Sequence, residues 1–354
     1  DIKKPAQAED MPTSKIFGYV FLPAIIAAVI GWLLPTAIFG NTIMGSQAND
    51  AFIFACLPII AFYISLWVKA QGQDKRGIGA LLFIFAISII FWVIYNQNST
   101  GLTIWAEKHT NRVASQTTSN VVSKIFPMQE VSTSNREVNK VDEYLRDVPG
   151  ADGKVQTVQG PDPYFNNVPK DQWPGDGSQK LVNTELFQSI NPLFIVLLTL
   201  FFVPFFDYLR KKGKEPTTAS KFGMASFIAG LSALVMVFAI MSVPSVYTHK
   251  TGPGWLWLTY FVFTISEIFL SPIGLSLVSK LAPARLTALM MGGWFLSTSI
   301  GGKIAGVMTS FWDDFTDKKM FFLLLTIAAF IGGILIYSRI KSLNAIVKEK
   351  TGSA

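Results

Sequence analysis

One cysteine and two histidines are all the thiol and imidazole metal ligands that 354 residues carry. A lone Cys56 excludes an intrachain disulfide and any cysteine-built metal centre. His109 and His249 both fall in loops between apolar stretches, so zinc or haem chemistry inside those stretches is not expected, and no cofactor is implied. Charge is scarce as well, at 15% of residues against 50% hydrophobic. That balance belongs to an all-α polytopic membrane protein rather than to a soluble core with one anchor. The net charge of +7 sits largely in short loops, where membrane orientation explains it better than nucleic acid does. A signal peptide is missing too. The chain opens DIKKPAQAED, without a methionine, which suggests a fragment or an internal segment of a longer protein.

What is present is a series of apolar stretches, each about 20 residues long as a bilayer crossing requires. Eight are expected: 16–39, 51–70, 78–106, 187–210, 219–243, 254–278, 286–310 and 320–340. Lys3, Lys4 and Lys15, then Lys69, Lys75 and Arg76, then the run from Arg210 to Lys221, Lys280 with Arg285, and finally Arg339 onward all fall on one side. The opposite short loops hold only Lys250, Lys318 and Lys319. The positive-inside rule then puts both ends of this chain in the cytoplasm.

Within these spans one acid lies at mid-membrane depth, Glu267. A charge there costs roughly 2.5–3.5 kcal/mol on insertion scales, so it normally faces a protein interior or a water-filled cavity. Tyr260, Thr264, Ser271 and Gly274 stand three, four or seven residues away and share its helix face. Pro272 removes a backbone bond one turn later, a possible hinge. The alternative is a static pair with Lys303, the one base deep in a span. At 100° per residue, however, Lys303 lies about 180° round its helix from Trp294 and avoids the face of Trp294, Ser297 and Thr298.

The rest of the chain divides around this region. Residues 1–15 read as a cytoplasmic linker, and 16–70 as a lipid-facing hairpin marked by Pro23, Pro35 and Pro58. Residues 78–340 form a six-helix bundle, and 341–354 a cytoplasmic tail. Between Glu107 and Phe187 the composition turns to Asn, Asp, Ser, Gly and Pro. This extracytoplasmic insert, 107–186, is expected to be loosely structured, with a short helix possible over 138–148 and a small core possible around Tyr164, Phe165 and Trp173. The 78–106 stretch clusters Trp92, Tyr95, Asn96, Gln97, Asn98, Ser99 and Thr100 in its middle. Lipid offers these groups no partners, so a polar cavity is favoured over interhelical bonding. Asn191–Pro192 combines a polar side chain with either a broken ladder or a simple helix start. The last six spans also fit two three-helix units, a transporter plan.

SEIFLSPIGLSLVSKLAP and MGGWFLSTSIGGKIAG closely resemble the tenth and eleventh membrane helices of proton-dependent oligopeptide transporters in the major facilitator superfamily. FQSINPLFI is similar to the start of that family's eighth helix and FWVIYNQ to its seventh, while the leading apolar pair resembles the extra hairpin of bacterial members. The resemblance implies a major facilitator C-terminal six-helix bundle preceded by a two-helix transmembrane hairpin, in a multi-pass plasma (bacterial inner) membrane. It implies proton-coupled symport of di- and tripeptides by alternating access, with membrane lipid around the chain and a missing N-terminal six-helix bundle as partner.

By the same resemblance, Glu267 meets the peptide amino terminus and couples protons, Asn191 assists it, and Trp92, Trp294, Ser297 and Thr298 line the pocket. Asn96 stands where many members carry an acidic gate residue, so the gate here closes differently. No ExxER-type run of the first bundle is present. Two other readings stand beside this one: a major facilitator carrier of nitrate or a drug, and a non-transporting subunit that binds a partner through the insert. A Ser299–Lys303 dyad, one turn apart, is the sole arrangement with any nucleophilic character, and an enzyme is not expected.

Overall fold

The computed structural model describes residues 11–114, 123 and 126–351, with backbone alone for 271–273. Most of the linker 1–15, the last residues of the tail, parts of the insert, and the side chains of Ser271 and Pro272 therefore lie outside the described residues.

Among the described residues, seven helices are long and apolar enough to cross a membrane. They begin with α1, Thr13–Phe39, and α2, Gln47–Lys69, which pack on each other as a hairpin and leave most of their surface apolar and exposed. The buried Asp50 carboxylate closes this hairpin by accepting from the backbone N–H groups of Ile43 at 2.8 Å and Met44 at 2.7 Å. Tyr63 joins α2 to the bundle, its hydroxyl donating to the Leu289 carbonyl at 2.7 Å.

The next stretch is broken where a continuous crossing was expected. Helix α3, Gly72–Asn96, gives way to a 3-10 turn at Gln97–Ser99, and α4, Gly101–His109, starts afresh after Thr100. Side chains of the polar cluster cap this break. Asn96 donates to the Trp92 carbonyl at 2.7 Å, Thr100 to the Asn96 carbonyl at 2.9 Å, and Thr309 to Gln97 Oε1 at 3.3 Å. Bonds of this kind help to satisfy an interrupted backbone ladder and to link helices.

The insert is folded, contrary to the expectation of loose structure. Strand β1, Gln129–Ser132, pairs antiparallel with β4, Ser178–Leu181, and β2, Arg136–Asn139, with β3, Thr157–Gly160. Residues 138–148 form no helix. The Asp142 carboxylate accepts from the N–H groups of Tyr144 and Arg146 and holds a tight turn, with Leu145 at φ 58°. Val131, Tyr164, Phe165 and Leu181 make the small core, with Trp173 packed on it, as the aromatic residues suggested. Asn167 fastens the insert to the bundle, donating to the carbonyls of Lys108 at 3.0 Å and Val246 at 2.8 Å.

After the short α5, Thr184–Gln188, come α6, Ile190–Lys211; α7, Thr218–Met241; α8, Gly254–Leu281; α9, Thr287–Ser310; and α10, Lys318–Ser338. Helix α9 was expected as an eighth span. It has the length but falls outside the strongly apolar set, because Gly, Ser and Thr occupy the face it packs against α3. Small residues do the same between α7 and α10: a Cβ on Gly230 would stand 2.6 Å from the Phe330 ring and one on Gly333 2.8 Å from Phe227. In lipid, where apolar burial drives little helix association, such close approach supplies the packing energy. The tail is a helix, α11, Ile340–Thr351. It buries Leu343, Ile346 and Val347 and ties Glu349 to Arg76 at 2.8 Å and Lys350 to the Leu281 carbonyl at 3.0 Å.

Candidate functional site

Helices α3, α6, α8 and α9 meet around Glu267 and a band of aromatic side chains. Asn191 stands in the first turn of α6, where Pro192 follows without loss because a helix start has no intrahelical acceptor for that N–H. That start aims the Asn191 amide at α8. Its Nδ2 donates to Glu267 Oε2 at 2.9 Å and to Thr264 Oγ1 at 3.1 Å. Both residues are buried, Asn191 at 5% exposure and Glu267 at 9%. Thr264 passes its own proton to the Tyr260 carbonyl at 2.7 Å. Glu267 Oε1 takes no bond among the described residues, and Lys and Arg form no ion pair with this carboxylate there.

Lys303 does not pair with it. Its Nζ sits 5.8 Å from the Phe52 ring of the hairpin, on the far face that helical spacing predicted. The static charge pair is therefore not what the chain builds.

Next to the carboxylate runs an aromatic wall. Tyr95 lies within electrostatic range of Glu267 and packs edge-on against Trp92 with ring centroids 5.3 Å apart. Trp92 in turn meets Trp294 at 6.2 Å. Trp294 is buried and rests on Gly274, two helical turns from Glu267 on the same face of α8. A Cβ at Gly274 would stand 2.2 Å from Trp294 Cζ2, so this glycine makes the space the indole occupies. Among the described residues the Trp92 indole N–H is enclosed and without a partner, as are those of Trp105 and Trp312 in the aromatic cluster at the insert end. A buried donor left unpaired costs about 1–3 kcal/mol, and an acceptor placed there recovers it.

Among the expected site residues, Glu267 and Asn191 are brought into direct contact, and Trp92 and Trp294 pack together beside them. Ser297 and Thr298 donate to carbonyls of their own helix, Gly293 at 3.1 Å and Trp294 at 3.4 Å. Ser297 belongs to the wall of an apolar crevice between the hairpin and the bundle. Asn96 is occupied with the Trp92 carbonyl and lies against Gly302. Sequence reasoning placed Thr264 and Gly274 on the right face but gave neither a role, and it noted Tyr95 only as one of a polar cluster. Gly274 was visible as the one residue without a side chain on that face; that Trp294 fills the gap was not.

With the geometry in place, comparison with known proteins is informative. Residues 177–331 match the family model described as PTR2, POT family. A di-/tripeptide transporter of Lactococcus lactis subsp. lactis (strain IL1403) is 24% identical over 339 residues, 94% of this chain and 55% of that protein. An uncharacterized transporter, YclF, of Bacillus subtilis (strain 168) is 37% identical over 152 residues, 42% of this chain and 30% of that one. A crystal structure of a peptide transporter POT superposes with a TM-score of 0.62 at 22% identity, covering 97% of this chain and 54% of that one. The chain thus spans about half the length of the relatives it matches most fully. Residues 177–331, which match the POT family model, hold Asn191, Glu267 and Trp294, and the chain shares its membrane-helical fold with that POT structure over nearly its whole length.

Proposed function

We propose that this chain supplies the C-terminal half of a proton-coupled symporter of di- and tripeptides, working by alternating access against an N-terminal six-helix bundle. The observation that carries the reading is the Glu267 carboxyl, buried in a membrane-spanning helix, bonded at one oxygen to Asn191 and at the other to nothing described. It is supported by the similarity, over 94% of this chain, to a di-/tripeptide transporter of Lactococcus lactis.

In this reading Glu267 is the proton carrier and the receptor for the peptide's ammonium. A carboxyl group in apolar surroundings with no cation beside it readily holds a proton, and an arriving ammonium favours the carboxylate instead. Peptide binding and the proton occupancy of Glu267 are then linked, and both move the same way when the displaced proton stays within the carrier and returns to Glu267 as the peptide leaves. Asn191 fixes the carboxyl group's orientation, and its amide oxygen is free to accept from the same ammonium. Trp92 and Trp294 form the side of the pocket, and Thr298 stands next to Trp294. Ser297 stands beside them on α9, its hydroxyl, like that of Thr298, bonded to a carbonyl of its own helix. Both ends of the chain face the cytoplasm, the insert faces outside, and the gate on the insert side closes without an acid at Asn96. Residues 16–70 remain outside the transport path.

The test is uptake of a labelled dipeptide into proteoliposomes under an imposed inward proton gradient. The chain joined to an N-terminal bundle should accumulate dipeptide, with competition by other di- and tripeptides, and the chain alone should not. Uptake unaffected by competing peptides would refute the substrate assignment.

A further inference from the structure

At the insert end of the bundle a cavity of ≈ 470 Å³ lies among polar strands, but a second, of ≈ 580 Å³, has a different character. It opens between the insert and the first turns of α6 and α8. Phe187, Ile190, Leu193, Pro253 and Trp257 make its walls apolar. Leu193 and Trp257 are 48% and 45% exposed, at the level where two membrane-spanning helices begin. On the inner side stands Arg112, only 3% exposed. Its Nη1 donates to the Val182 carbonyl at 2.8 Å and to Gln129 Oε1 at 3.0 Å, whereas its Nε is enclosed with no partner among the described residues. No acid pairs with Arg112 among the described residues, and the nearby Asp162 is engaged by Arg136. The polar groups that share the cavity, Asn111 and Ser189, are neutral.

A buried guanidinium with an unpaired N–H is costly unless an anion completes it, and the arginine fork suits phosphate or carboxylate. Apolar walls running out to exposed leucine and tryptophan at the membrane boundary suit a hydrocarbon chain. We propose that this cavity binds one anionic phospholipid of the leaflet on the insert's side, its phosphate on Arg112 and an acyl chain along Leu193 and Trp257. A free phosphate would complete Arg112 but leave the apolar walls in water. A zwitterionic lipid would bring a second cation to the same place.

The protein carrying this chain is placed in nanodiscs of phosphatidylcholine with a minor fraction of phosphatidylglycerol, one or the other lipid brominated along its chains. Quenching of Trp257 is read as the difference between the protein and its Trp257→Phe variant. Brominated phosphatidylglycerol should quench about tenfold more effectively per molecule, the ratio expected of one charge-assisted hydrogen bond. Arg112→Gln should abolish that preference, Arg112→Lys should keep most of it, and inorganic phosphate should not relieve the quenching. Equal quenching by both lipids, or a preference that survives in folded Arg112→Gln, overturns the proposal. So does relief by inorganic phosphate, which would make this a site for a free anion. Should Arg112→Gln fail to fold, Leu193→Glu decides: on the exposed rim it leaves the Arg112 bonds intact, and it must lower the preference for the proposal to stand.

Discussion

Substituting Gly274 by alanine tests the packing that holds the aromatic wall beside Glu267. The new methyl carbon would stand 2.2 Å from Trp294 Cζ2 and 2.3 Å from Cη2. Carbon atoms rest about 3.5–4.0 Å apart, so the indole must move by more than about 1 Å. Phe85, Trp92 and Phe222 surround it at centroid distances of 6.4, 6.2 and 6.3 Å and leave no ready direction of retreat. Overpacking of this kind costs about 1–3 kcal/mol. Against it stands the gain of replacing a mid-helix glycine, about 0.5–1 kcal/mol. The net expectation is a loss centred on about 1 kcal/mol, within a range of about 0–2.5 kcal/mol, worked from those two terms. Gly306 on α9 supplies the control, since a Cβ there meets nothing within 4 Å and the helix gain stands alone. Thermal unfolding of the purified protein in detergent, followed by tryptophan emission, should place Gly274→Ala below the parent and Gly306→Ala at or above it. A Gly274→Ala variant with an unchanged or higher Tm would refute the reasoning.

Two further outcomes follow from polar contacts. Asn191→Ala removes the one donor to Glu267 and should destabilise the protein by about 1–3 kcal/mol. Asn191→Ser, too short to span the same 2.9 Å bond, should fall in the same range, and a Tm within error of the parent for both would contradict the contact. At the insert, Lys250 donates to the Lys108 carbonyl at 2.8 Å above the Tyr164 ring. Burial, with Arg112 nearby, lowers its ammonium from 10.5 to about 7, only partly offset by Asp162 and Glu107. The unfolded chain then holds a proton that the folded one lacks between those two values, so stability rises with pH from about 7 to 10.5. Below about 7 both states are protonated, and the cost of the buried charge is present in full. The protection factors of insert amides, exchange corrected for the intrinsic rate that itself rises with pH, should increase between pH 7 and pH 9, and Lys250→Met should remove that increase. Equal pH dependence in the two proteins would sink the assignment.

Most of the bundle was legible in the sequence because a bilayer imposes a length and a composition that no loop imitates. Helix α9 shows the limit of that signal: a span lined with glycine, serine and threonine is apolar enough to be buried by neighbours yet reads as ambiguous by itself. The break at Gln97–Ser99 was hidden for a related reason. Asn96 and Thr100 announce unpaired polar groups but not whether a cavity or a backbone carbonyl receives them. The insert was misread because strands of four residues carry too little alternation to register, and the Asp142 turn looks like a helix start. At the site, a single acid on a small-residue face was enough to single out Glu267. Asn191 and Trp294 reach it from other helices, and spacing along one helix carries no information about that. Arg112 drew no notice at all, since an arginine in a polar loop signals nothing until its burial is known.

The central claim is that Glu267 couples proton movement to substrate movement. Its most direct test is uphill accumulation and counterflow exchange of a labelled dipeptide measured side by side in proteoliposomes, for the protein carrying this chain and for Glu267→Gln. The glutamine keeps the size of the side chain and its reach to Asn191 but cannot release a proton. The account predicts that accumulation driven by the proton gradient disappears while exchange persists; accumulation by Glu267→Gln to the parent's level would contradict it.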